Sequence, residues 1–176
     1  MFIIRLQLSS LLTYASIASA VIGISYAQDL SVAFVCLLLC AFFDIFDGKF
    51  ARLFRGRSAL EKNFGIAIDS LADTLAFVAL PVAIFASLHG VGLILIVPII
   101  YALTGVTRLS VFTAEAMPDK TVTHYRGLPI TLAGLIIPLT YLLTQPLAQP
   151  VQTLLMSAVY LALAFLFVAN IRVKKP

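Results

Sequence analysis

Apolar positions fall into six long runs: about Leu8 to Ala27, Leu30 to Phe54, Gly65 to Leu88, Gly90 to Ala114, Leu128 to Thr144 and Val151 to Val173. Polar residues gather in the connections, Gln28-Asp29, Arg55 to Phe64, His89-Gly90, Glu115 to Gly127 and Gln145 to Pro150, which are alternately short and long. A bilayer-crossing helix uses about 20 apolar residues. The pattern therefore predicts an all-α integral membrane protein of six transmembrane helices, a single domain over residues 1–176 with no length left for a soluble one.

The twelve Lys and Arg residues give this arrangement a direction. Arg5 lies at the N-terminus, Lys49 through Lys62 surround the second connection, Arg108, Lys120 and Arg126 surround the fourth, and Arg172 to Lys175 close the chain. The first, third and fifth connections have none. Short-loop cations stay cytoplasmic, so both termini and the two long connections are expected inside. Residues Met1 to Leu8 are expected to lie along the interface as a short lead-in. Ala18-Ser19-Ala20 has the small-residue look of a signal-peptide cleavage site, but cleavage there would leave five spans and strand one terminus on the wrong side.

Composition agrees: 61% of residues are hydrophobic and 11% charged, with a mean hydropathy of +1.06 that a water-soluble core of this size does not need. The net charge of +4 is spread between apolar runs and forms no basic, aromatic-laced stripe, so no nucleic-acid partner is expected. Cys36 and Cys40, four apart in one run, are read as packing residues.

Against this background the acids stand out. Four of the eight, Asp44, Asp47, Asp69 and Asp73, fall inside predicted spans. Each costs about 2.5–3.5 kcal/mol at a helix centre, so four together oppose insertion by roughly 10 kcal/mol unless something positive compensates them. Asp44 and Asp47 are three apart and Asp69 and Asp73 four apart, so each pair shares one helix face. At about 1.5 Å per residue Asp44 lies roughly 21 Å and Asp47 roughly 26 Å from the outer end of a span about 30 Å deep. The next helix returns antiparallel, which sets Asp47 opposite Asp69 and Asp44 opposite Asp73 in one shallow cytoplasmic site. Arg52 can neutralise one carboxylate at most, whereas hard divalent cations prefer oxygen ligands; two Mg²⁺ or Mn²⁺ ions fit the charge. Gly48 and Gly65 beside the acids allow close helix approach or admit a bulky polar ligand. A cation or proton transporter is the rival, but a pathway would distribute acids across the bilayer, and these four lie toward one face.

The run Asp44-x-x-Asp47-Gly48-x-x-Ala51-Arg52, followed by Gly65-x-x-x-Asp69-x-x-x-Asp73, resembles the signature of the CDP-alcohol phosphotransferase (CDP-alcohol phosphatidyltransferase) family, and six spans with cytoplasmic ends extend the likeness over essentially the whole chain. The resemblance implies a metal-dependent homodimer in the membrane with a CDP-linked donor, CDP-diacylglycerol. It implies that Asp44, Asp47 and Asp69 bind the first metal and that Asp73 helps with a second and serves as catalytic base. Gly48, Ala51, Arg52 and Gly65 would line the cytidine and pyrophosphate site, with Thr13 of the first helix near the nucleotide. One departure is the twelve residues from Leu53 to Phe64 between Arg52 and Gly65, a longer spacing than is usual in the family.

Asp69-Ser70-Leu71-Ala72-Asp73 with Phe77 and Pro81, Arg108 four before Phe112, and Gly127-Leu128-Pro129 are similar to the branch that makes phosphatidylserine. The expected acceptor is L-serine, whose single carboxylate needs a cation, and Arg108 and Arg126 flank the fourth connection on the required side. Glycerol 3-phosphate or inositol phosphate would call for more cations there. His124 and Tyr125 neighbour Arg126 in that connection, while His89 belongs to the opposite side. The expected setting is a prokaryotic cytoplasmic membrane with the site facing the cytoplasm.

Overall fold

The computed structural model describes residues 8–53, 59–90, 92–116, 124–126, 128–169 and 172–174. The interfacial lead-in expected before Leu8 and residues Arg55 and Arg57 lie outside this set. The described residues form six helical stretches: α1 (Leu8–Ser25), α2 (Leu30–Leu53), α3 (Ala59–His89), α4 (Leu93–Ala116), α5 (Ile130–Thr144) and α6 (Gln149–Val168). Four of them, α2, α3, α4 and α6, are long and apolar enough to cross a membrane; α1 and α5 are shorter apolar helices.

α1 and α2 form an antiparallel hairpin around a four-residue turn. Asp29 ends that turn as the cap of α2, its Oδ1 accepting the N–H groups of Ser31 at 3.1 Å and Val32 at 3.3 Å. The two helices touch closely because position 23 is glycine: a Cβ there would lie 2.8 Å from the Cβ of Cys36 and 3.0 Å from Leu80. Cys36 and Cys40 are both free and buried, and the Cys40 thiol donates to the Ser16 carbonyl at 3.4 Å, as packing residues would.

α3 begins at Ala59, earlier than the apolar run alone indicates, because Ala59-Leu60-Glu61-Lys62 favours helix and Glu61 suits the positive end of the helix dipole. Part of the expected second connection is therefore helical. The helix widens into a π turn over Leu75–Ala79 and tightens again before ending at Gly90, whose φ of 73° suits glycine. Pro81 lies two residues beyond the π turn. Proline has no N–H for the carbonyl four residues back. The Tyr101 hydroxyl, from α4, donates to that Phe77 carbonyl at 2.5 Å, and the Tyr160 hydroxyl, from α6, donates to the Pro81 carbonyl at 2.8 Å. Two buried phenols thus serve backbone groups in and just after the π turn of α3, with Phe85 edge-on to Tyr160 and Phe167 tilted against Tyr101.

α4 opens with a 3₁₀ turn, Leu93–Leu95, and α5 with another, Ile130–Leu132. α4 packs on α3 and α6, and α5 on α2 and α6. A three-residue antiparallel pairing of β1 (His124–Arg126) with β2 (Arg172–Lys174) is the one addition to the expected all-α architecture among the described residues. It joins the α4–α5 connection to the segment after α6, at one end of the molecule. Large apolar side chains such as Phe165 and Leu143 are 70% and 69% exposed, which is the outer surface of a protein solvated by lipid.

Candidate active site

α2 and α3 run antiparallel, and their facing sides carry the acids. One carboxylate oxygen each from Asp44, Asp47 and Asp69 lies within 4.8 Å of the others. Asp73, one turn further along α3, makes a hydrogen-bonding contact with Asp44. Asp47 is buried and the other three are half-buried. At this spacing a pair of unit charges repels by roughly 3 kcal/mol at an effective dielectric near 20. Three such pairs approach the whole stability of a typical domain, so the oxygens need positive charge between them. Converging, half-buried carboxylate oxygens are the donor set that Mg²⁺ and Mn²⁺ prefer, and Asp44, Asp47 and Asp69 could hold such an ion.

Two threonines steady the acids. Thr13 of α1 donates its hydroxyl to Asp47 Oδ2 at 3.0 Å in a buried contact, and Thr131, in the 3₁₀ turn that opens α5, hydrogen-bonds the Asp44 carboxylate. A cavity of about 200 Å³ opens beside them, lined by Asp44, Asp69 and Asp73 on one side, Arg108 and Phe112 of α4 on another, and Pro129, Ile130 and Thr131 on the third. Ser70 and Thr113 meet Oγ to Oγ1 at 2.5 Å and tie α3 to α4 at this level.

The structure therefore brings Thr13, Asp44, Asp47, Asp69, Asp73 and Arg108 together. Gly65 faces open space, with nothing among the described residues within 4 Å of where a Cβ would stand, which, of the two readings of this glycine, fits room for a ligand and not close helix approach. The close approaches occur instead at Gly23, Gly105 and Gly134, which the sequence did not mark. Gly48, Ala51 and Arg52 occupy the last turns of α2 and Arg126 the strand β1; their side chains lie outside the described residues. His89 sits at the other end of α3, where its Nδ1 meets the Thr153 hydroxyl at 3.1 Å. Thr131 was missed, because a single hydroxyl at the head of an apolar run carries no local marker.

A profile of the CDP-alcohol phosphatidyltransferase family matches residues 6–169, and so includes all four aspartates. The chain belongs to this family. It is 32% identical, over 171 residues, to the CDP-diacylglycerol–serine O-phosphatidyltransferase of Helicobacter pylori (strain ATCC 700392 / 26695), a match covering 93% of this chain and 70% of that protein. A protein of the same name from Helicobacter pylori (strain J99 / ATCC 700824) is 31% identical over 139 residues, 76% of this chain and 56% of that one. In a family of membrane transferases, the acid cluster and its cavity are the part of this fold with chemistry to perform.

Proposed function

We propose that the chain transfers the phosphatidyl group of CDP-diacylglycerol to the hydroxyl of L-serine, releasing CMP and forming phosphatidylserine. The observation that carries this reading is the meeting of Asp44, Asp69, Asp73 and Arg108 on one cavity, with Asp47 clustered against Asp44 and Asp69, in a chain whose relatives bear the name of that reaction. Asp44, Asp47 and Asp69 would hold one divalent ion and share a second with Asp73; when bound, Mg²⁺ or Mn²⁺ supplies charge neutralisation for the pyrophosphate and the departing CMP.

The chain's own residues account for the rest. Asp73 lines the cavity and takes the proton of the acceptor hydroxyl as the serine oxygen bonds to phosphorus and the bond from phosphorus to the CMP oxygen breaks. Arg108 presents a guanidinium to the acceptor carboxylate from across the cavity. Gly48, Ala51, Arg52 and Gly65 serve the cytidine and pyrophosphate side, where the openness at Gly65 gives a nucleotide access to backbone. Thr13 contributes by orienting Asp47. The arrangement is a single six-span domain, a homodimer in a prokaryotic cytoplasmic membrane, with both termini and the site on the cytoplasmic side.

The test is CMP release by purified protein given CDP-diacylglycerol, Mn²⁺ or Mg²⁺, and serine, glycerol 3-phosphate or inositol phosphate in separate reactions. Serine alone should support strong release, abolished by EDTA and restored by adding back the ion. Release with a phosphorylated acceptor instead would reassign the acceptor, and cation flux in sealed vesicles without CMP would replace the enzyme with a transporter.

A further inference from the structure

Most threonine hydroxyls on these helices turn inward on their own backbone. Those of Thr74, Thr104, Thr107, Thr113 and Thr140 each donate to the carbonyl one turn back. In lipid such a bond is the simplest way to satisfy a hydroxyl. Thr131 stands in the first turn of α5, where no preceding helical turn offers that carbonyl, and its hydroxyl goes to Asp44 on α2 instead. The turn that carries it is held from three directions. The Leu128 N–H donates to the Leu166 carbonyl of α6 at 3.1 Å, the Leu132 N–H closes the turn on the Pro129 carbonyl at 3.2 Å, and the buried Ile130 side chain lies against the gap left by Gly105 of α4, 3.4 Å from where its Cβ would stand. A hydroxyl on so fixed a turn can fix its partner in turn.

We infer that Thr131 is a positioning residue for the metal site, holding the Asp44 carboxylate in its ligating orientation from the wall of the cavity that both line. This rests on the divalent-metal reading above. Without the hydroxyl, Asp44 would keep its place on α2 and its contact with Asp73 but lose one of the two side-chain partners that orient its carboxylate. Outer partners of metal ligands typically contribute about 10–100-fold in affinity.

Mn²⁺ binding to the purified protein, followed by the EPR signal of the free ion with no nucleotide or acceptor present, tests this separately from turnover. Thr131→Val, nearly the same shape without the hydroxyl, should weaken Mn²⁺ binding by about tenfold or more, and Thr131→Ser should bring it back to within about twofold of the parent. In an Asp44→Asn background, Thr131→Val should add almost nothing, since the residue through which Thr131 acts has already been changed. That comparison needs no assumption about how well Thr131→Val folds alone. Parent-like Mn²⁺ binding by Thr131→Val would overturn the inference, as would equal weakening by Val and Ser, which would assign the effect to packing. No Mn²⁺ binding by the parent would remove the metal reading itself, a failure distinct from either.

Discussion

At the scale of single residues, Asp73 and Asp47 have different work and should fail differently. Asp73 reaches the cavity and Asp44, so Asp73→Asn keeps size and hydrogen-bonding shape while removing the carboxylate proposed above as the base. CMP release from CDP-diacylglycerol and serine should fall by about 10²–10⁴, with unchanged elution on gel filtration and an unchanged melting temperature. Retained turnover would take the proton-accepting role away from Asp73. Asp47 is buried and bonded to Thr13, so Thr13→Val should leave an acceptor without its donor at a cost of about 1–3 kcal/mol. That loss should be read as a lower melting temperature together with a higher Mn²⁺ requirement, and an effect on neither would make the Thr13 contact incidental. The acids were legible in the sequence because charge inside an apolar run is costly and because spacings of three and four fix a common helix face. Thr131 and Thr13 differ in this respect: their hydroxyls are cheap in a helix wherever they fall, so only the fold shows which ones leave their own backbone for a carboxylate.

At the scale of elements, the π turn of α3 and the head of α5 stand next to the acids and the cavity they line. The π turn at Leu75–Ala79 begins two residues beyond Asp73, and the carbonyl freed by Pro81 is served by Tyr101 from α4. Tyr101→Phe keeps the ring in place and leaves the Phe77 carbonyl without this donor, so it should cost about 1–2 kcal/mol and lower the melting temperature in detergent by a few degrees. An unchanged melting temperature would mean that the widened turn already satisfies this carbonyl within α3. Gly134 lets α5 close on α2 and α3: a Cβ there would stand 2.9 Å from the Phe77 ring and 3.1 Å from the Ala41 Cβ. Gly134→Ala should therefore destabilise by about 1–3 kcal/mol and reduce turnover by moving Thr131 away from Asp44, whereas the same change at the open, helical Gly65 should stabilise by about 0.5–1 kcal/mol. Helix ranges could be read from apolar runs with errors of a few residues, as at the early start of α3. The π turn could not, since Leu-Ala-Phe-Val-Ala is an ordinary helical sequence and the tyrosines that serve backbone carbonyls beside it come from two other helices.

At the scale of the whole molecule, charge and length make separate demands that α5 brings into conflict. The distribution of Lys and Arg asks for six crossings with the acids at the cytoplasmic end. The pairing of β1 with β2 agrees, because it holds the α4–α5 connection and the segment after α6 together at one end. Yet α5 has only 15 residues between Ile130 and Thr144, roughly 22 Å of helix against a hydrocarbon core of about 30 Å. If α5 crosses, the bilayer thins at that edge or the polar turn after Thr144 sits deep, and Gln145 emerges on the same side as Gln28. If it does not, Gln145 emerges with Lys62. All three positions are exposed, and the two native thiols are buried, so single cysteines at residues 28, 62 and 145 can be read with a membrane-impermeant maleimide. In intact cells Gln28→Cys and Gln145→Cys should label and Lys62→Cys should not, until the membrane is permeabilised. Protection of Gln145→Cys alongside Lys62→Cys would reduce the crossings and move the C-terminal segment away from the acids, a position that its pairing with the α4–α5 connection does not allow.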